Sequence, residues 1–158
     1  MEVQEARLHL RALDPTECEQ ILARNHVGRL AYARHKQIDI QPVHYILAEG
    51  WIYARGPFAE THEIVSGNAY GWQPVALEVD EVDDLFNWRY VVVHGGFYLI
   101  DRERSSAEAA AWQHGVELLQ RLVPEAFRAH DPAPDRTVLF RISAQDLSGQ
   151  AATAAAGA

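Results

Sequence analysis

The chain has one cysteine, Cys18, so no disulfide can close within it, and it has no Asn-x-Ser/Thr sequon. The start MEVQEARLHLRALD lacks a basic flank followed by an apolar run, and a cytoplasmic address is expected. Nothing approaches the roughly 20 apolar residues of a membrane-spanning helix; the longest aliphatic block in the middle of the chain is Val91-Val92-Val93. A membrane is therefore not an expected partner. Positive charge is scarce too. Lys and Arg number 14 against 22 Asp and Glu, a net −8 that repels polyphosphates at long range and excludes nucleic acid as the main partner.

The familiar catalytic signatures are also missing. There is no Gly-x-Ser-x-Gly elbow, no phosphate-binding Walker loop and no Gly-x-Gly-x-x-Gly, which removes support for hydrolase and nucleoside-triphosphatase readings. His62-Glu63-Ile64-Val65-Ser66 comes within one residue of the zinc-peptidase helix, but Ser66 stands where the second ligand is needed, so no metal is expected. The eight histidines, at 9, 26, 35, 44, 62, 94, 114 and 130, make no i, i+4 pair. Cys18 falls on the apolar face of a predicted helix, where a thiolate is disfavoured.

What is present is an ordinary globular composition. Of 158 residues 48% are hydrophobic and 23% charged, enough for one folded domain over 1–150, with the Ala-rich 151–158 expected to be a flexible tail. Asp14-Pro15-Thr16-Glu17 starts a helix that runs to about Asn25 and packs Cys18, Ile21 and Leu22 inward. From Val27 the period drops to two, giving strands over 27–34, 38–47 and 51–53. A short helix over 58–66, stopped by Gly67-Asn68, leads to strands at 75–79 and 89–100, the latter carrying Gly95-Gly96 as a bulge or bend. Ser105-Ser106-Ala107-Glu108 opens the longest helix, to Pro124, and Thr137 to Ile142 is a last strand. Six or seven strands with short connections imply antiparallel pairing. The expected class is α+β, an antiparallel β-barrel with helices on its rim.

Three places carry chemistry. Trp51 to Arg55 runs into a helix start where unpaired amides and the Thr61 hydroxyl suit an anion, with Arg55 and His62 nearby; the plain alternative makes Arg55 a solvated strand-end residue. Asn87-Trp88-Arg89 sets a large flat aromatic beside a guanidinium, as core filler or as a ligand or subunit contact. Pro42 has no amide for a central ladder, so its strand is expected at an edge, with nearby backbone free for a planar ligand.

The order Val27-Gly28-Arg29-Leu30-Ala31, Pro42-Val43-His44-Tyr45, Trp51-Ile52-Tyr53, Trp88 to Gly95, and Val138 to Ile142 before Asp146-Leu147-Ser148-Gly149 resembles the pyridoxamine 5′-phosphate oxidase-related flavin-binding split barrels, most closely their nitroimidazole-resistance branch. The likeness spans about residues 11 to 150. It implies a split β-barrel homodimer that holds FMN in two grooves at the subunit interface and reduces a small, planar, electron-poor compound. By this resemblance the ring lies along Val43, His44 and Tyr45 and along Tyr53, Ala54 and Arg55, the phosphate meets Thr61 and His62, and Trp88 and Arg89 come from the other subunit. His44 and His62 are the candidate proton donors. The family's usual Gly-x-Lys is replaced by Glu60-Thr61-His62, which removes a permanent point charge and opens an alternative: a non-catalytic split barrel that binds flavin or haem. Trp72, Trp88 and Tyr90, more large aromatics than one small barrel buries, independently favour a dimer.

Overall fold

The structure, a computed structural model, describes residues 7–65 and 72–155. Its elements run β1 (Arg7–Ala12), α1 (Pro15–Arg24), β2 (Val27–Arg34), β3 (Gln37–Ala48), β4 (Trp51–Gly56), α2 (Phe58–Val65), β5 (Trp72–Asp84), β6 (Asn87–Leu99), α3 (Ser106–Leu122), β7 (Val138–Ser143) and β8 (Asp146–Ala155). The expected stop of α2 at Gly67-Asn68 lies outside the described residues.

All strands join one antiparallel sheet in the order β1-β8-β6-β5-β2-β3-β4-β7, and a further β6–β7 pairing closes the last six into a ring. β8 and β1 form a flap hanging from β6. Alternation along each strand decides what fills the ring: Leu30, Tyr45, Ile52, Leu77, Val93, Phe97, Phe140 and Ile142 are all at most 2% exposed. A second cluster lies under α3, where Val116, Leu118 and Leu119 pack on Tyr53, Ile100 and Leu139. The α+β split barrel with flanking helices is therefore what the chain adopts.

Two strands were not expected. β1 has six exposed residues; Leu8 and Leu10 alternate with Arg7, His9 and Arg11, but over too short a run to mark a strand by itself. β8 overturns the flexible tail as far as Ala155: Trp88↔Ala152 pairs it with β6 and Leu10↔Ala152 with β1. Two ladders supply in backbone hydrogen bonds what alanine side chains cannot, and Ala152 is 2% exposed. Gly95-Gly96 makes no bulge, since Val75↔Gly95 and Pro74↔Gly96 stay in register. It marks instead where β6 changes partner from β8 to β7, and a Cβ on Gly95 would overlap the Ser143 carbonyl.

α1 is docked by charge as well as by its buried Cys18, Ile21 and Leu22. Asp14 accepts from the Glu17 amide at 2.8 Å, although the Glu17 carboxylate is taken by Arg11 and does not reach back to the cap. Tyr45 donates to the Leu22 carbonyl at 2.7 Å from below. Glu81 on β5 accepts from Arg24 (2.5 and 2.7 Å), from Asn25 (2.7 Å) and from Arg89 on β6. Arg24 above all, then Asn25 and Arg89, hold the Glu81 carboxyl down at about 2 against the opposing effect of burial. A depressed folded-state value means stability present above the ordinary 4.5 and lost as pH falls toward 2. The melting-temperature gap between wild type and Glu81→Gln is thus expected to be full at pH 6 and to close near pH 2; a gap independent of pH would show that the clamp is not ionic.

Candidate functional site

β3 pairs with β2 from Gln37 to His44, but with β4 only from Tyr45 to Ala48. On the other bank, Arg55 and Gly56 pair with β7 alone. The ladder is therefore open between Pro42–His44 and Arg55–Gly56, and this seam is the split in the barrel. Pro42 sits at it, where a missing amide breaks no bond, as its sequence position predicts. Val43 is buried and the His44 ring is exposed. A recess of about 100 Å³ lies between Val27, Pro42, Val43, His44 and Arg136, and a smaller one between His44, Arg55 and the end of α3.

Tyr45, Tyr53 and Ala54 form the closed end of the seam. The backbone of Tyr53 is laddered to Ile46 and Arg141, and that of Ala54 to Tyr45 and Phe140. Beyond that end, Val43 and His44 are laddered to β2 alone and Arg55 and Gly56 to β7 alone.

Arg55 is neither solvated nor open to an anion. It is 8% exposed and forms a two-pronged ion pair with Asp131, at 2.7 Å through Nη2, while its guanidinium lies 5.0 Å from the Phe127 ring centroid. Asp131 also accepts from the amides of Phe127 (2.8 Å) and Ala133 (2.9 Å). Arg55 first, then these amides, hold the Asp131 carboxyl well below the usual carboxylate range. One ion pair thus straps the loop after α3 across the seam. Sequence reading passed over Asp131 because, among Pro132, Pro134 and Asp135, it looks like turn chemistry.

At the far end of β4, a Cβ on Gly56 would come 2.5 Å from the Thr61 hydroxyl, so glycine is what lets α2 start against the barrel. Thr61 is 1% exposed and its hydroxyl donates to the Pro57 carbonyl. His62 donates from Nδ1 to the Phe58 carbonyl at 2.8 Å, which leaves Nε2 as its outward atom. The first-turn amides of Phe58, Ala59 and Glu60 precede the first intrahelical bond, Thr61 to Pro57, and have no acceptor within the helix. The chain's one lysine, Lys36, is in the β2–β3 turn. The residues fit a flavin in part: an open edge for the ring, a glycine-lined turn with free amides and His62 Nε2 for a phosphate, but no use of the Thr61 hydroxyl without breaking its bond.

Trp88 and Arg89 lie elsewhere. Two strands, β2 and β5, separate them from β3 around the ring. The Arg89 guanidinium is engaged by Glu81 and Asp83. Trp88 and Tyr90, with ring centroids 6.1 Å apart, line a trough of about 410 Å³ with Glu78, Asp80 and Val82 on the outer sheet face. That face continues across cross-strand rows: Tyr90↔Asp80, Val92↔Glu78↔Arg29, and Ala76↔Ala31↔Ile40. Ile38 and Ile40 at its rim are 75% and 67% exposed. Burial first, then the neighbouring Asp80, raises the Glu78 carboxyl, whose Oε1 is buried without a partner.

A family model described as pyridoxamine 5′-phosphate oxidase matches residues 14–151. No curated protein matches. Among solved structures, an FAD-binding protein from Mesorhizobium loti is 26% identical, with a TM-score of 0.70 over 91% of this chain and 99% of that one. A candidate 5-nitroimidazole antibiotic resistance protein from Bacteroides thetaiotaomicron is 13% identical, TM-score 0.66, covering 98% and 96%. The haem storage protein of Vibrio cholerae is also 13% identical, TM-score 0.63, covering 84% and 92%. The last two likenesses speak for the fold alone. Among the described residues no helix is long and apolar enough to cross a membrane, and no group of three or more His, Cys, Asp or Glu is placed to hold a metal.

Proposed function

Because the chain belongs to the pyridoxamine 5′-phosphate oxidase family, we propose that it binds a flavin between two copies of itself and acts as a flavin-dependent oxidoreductase on a small, planar, electron-poor compound. The observation that carries this reading is the seam: Val43 and His44 on one bank and Arg55 and Gly56 on the other are laddered on their far sides only and do not pair with each other, beside a glycine-lined helix start. A Mesorhizobium loti protein of the same fold is described as FAD-binding, which supports a flavin here. FMN is the smallest form that occupies both ends of the seam.

When bound, the flavin supplies the electron transfer. The protein's own tasks are to bind and orient. The open edges of β3 and β4 fix the ring plane, and the first-turn amides of α2 with His62 Nε2 hold the phosphate. Trp88 and Arg89 of the second copy close the slot and exclude water. His44, exposed at the edge, is the group placed to deliver a proton to a reduced substrate.

The lysine-free phosphate end favours one alternative, a non-catalytic split barrel that holds flavin or haem. Titration of the purified protein with FMN separates the readings. Quenched flavin fluorescence, a yellow dimer after gel filtration and turnover with a nitroaromatic acceptor and a chemical reductant are expected. A bound flavin without turnover, or a Soret band with haemin and no flavin binding, would favour the alternative.

A further inference from the structure

A cavity of about 500 Å³ lies outside the seam, between the first turn of α2, the β6–α3 connection, the start of α3 and the start of β7. Its volume falls in the range of small-molecule sites, about 300–1,000 Å³. Val138 and Leu139 contribute apolar surface. Two aromatic contacts line it: the Arg102 guanidinium stands 4.6 Å over the Trp112 ring centroid, and the His62 and Phe58 ring centroids are 4.1 Å apart with their planes tilted by 32°.

Two unpaired guanidinium groups meet at the place. Arg11, Arg24, Arg29, Arg34, Arg55 and Arg89 are each paired with a carboxylate. Among the described residues Arg102 and Arg104, like Arg7, Arg121, Arg128, Arg136 and Arg141, have no carboxylate within ion-pairing distance, and these two line the same cavity. Of the two acids at the same cavity, Asp101 is turned to accept the Glu103 amide at 3.0 Å, and Glu103 is exposed at the rim. A guanidinium beside an indole offers charge and flat surface to a planar heterocycle, and a second unpaired guanidinium beside it suits a phosphate.

We propose that this cavity is a nucleotide subsite that takes the purine nucleoside 5′-phosphate half of a dinucleotide flavin, so that the preferred ligand is FAD rather than FMN. The proposal rests on the flavin reading and deepens it. His62 joins the two sites, because it follows Thr61 at the phosphate end of the seam and also lines the cavity. A pyrophosphate passing His62 reaches both.

The test titrates the purified protein with FMN, FAD and AMP separately, following flavin and tryptophan fluorescence, and repeats this with Arg102→Ala/Arg104→Ala. Both arginines are exposed, and an unchanged melting temperature confirms that the variant folds. FAD is expected to bind about 10-fold or more tighter than FMN. The double variant should erase that preference, leave FMN affinity within about twofold and abolish AMP quenching of tryptophan fluorescence. Equal affinities for FAD and FMN, with neither sensitive to the arginines, would overturn the subsite and leave the flavin reading standing. Arginine-dependent AMP binding without binding of either flavin would overturn the flavin reading and the dinucleotide assignment together, leaving a free-nucleotide pocket.

Discussion

Arg55→Ala is expected to lower the unfolding free energy by about 3–5 kcal/mol, the range for removing one partner of a buried ion pair. Arg55 and Asp131 have side chains 9% and 6% exposed, so the surviving carboxylate would be stranded away from water. The loss should spread beyond the pair. Phe127 is held at φ +62°, a costly backbone for a bulky residue, and the bonds that Asp131 makes to the amides of Phe127 and Ala133 fix the loop there. Asp131→Asn should cost a similar amount, because Phe127 donates to Oδ2 and Ala133 to Oδ1, and an amide side chain keeps an oxygen acceptor for only one of them. Its pH signature has a definite sign: the Asp131 carboxyl is depressed in the folded state, so its contribution is present above the ordinary 3.8 and disappears as the solution is acidified below it. Urea melts of wild type, both variants and the double variant check this. If the two single losses simply add, the residues do not act as a pair.

The second large effect is on assembly. If the proposed dimer buries this rim, Ile38→Lys/Ile40→Lys is expected to weaken self-association by about 100- to 1,000-fold and flavin affinity with it, since in that proposal each half of the slot needs the other copy. Four buried lysines across a two-fold axis would face one another without partners. Both isoleucines are mostly exposed in the single subunit, so its own fold should tolerate the change. Sedimentation velocity and FMN titration on the same samples read the two losses together. A variant that stays dimeric moves the interface elsewhere, and one that becomes monomeric yet keeps full flavin affinity removes the shared-slot reading.

Sequence periodicity was a good guide wherever burial is one-sided. The helix from Pro15 shows in Asp14 and in the spacing of Cys18, Ile21 and Leu22 because one face meets the core and the other water. Val75, Leu77 and Val79 announce β5 in the same way. The alanines of β8 were illegible because their stability comes from backbone pairing, which leaves no pattern in side chains, and the alternation of Leu8 and Leu10 in β1 is too short to stand alone. At the seam, Pro42 pointed to the open edge from its chemistry alone. Arg55 misled: a strand-end arginine looks solvated until Asp131, 76 residues later, folds over it. Long-range pairing of that kind has no local signal. Thr61 misled for the opposite reason, because its hydroxyl is satisfied four residues back, at Pro57.

The flap has a temporal consequence. β1 precedes the ring in the chain and pairs only with β8, which follows it. During synthesis β1 must wait for about 130 further residues before it meets its partner, and that loop-closure cost falls due after the ring is complete. Ribosome-bound chains halted after β7 should therefore hold a closed ring with a protease-sensitive leading strand.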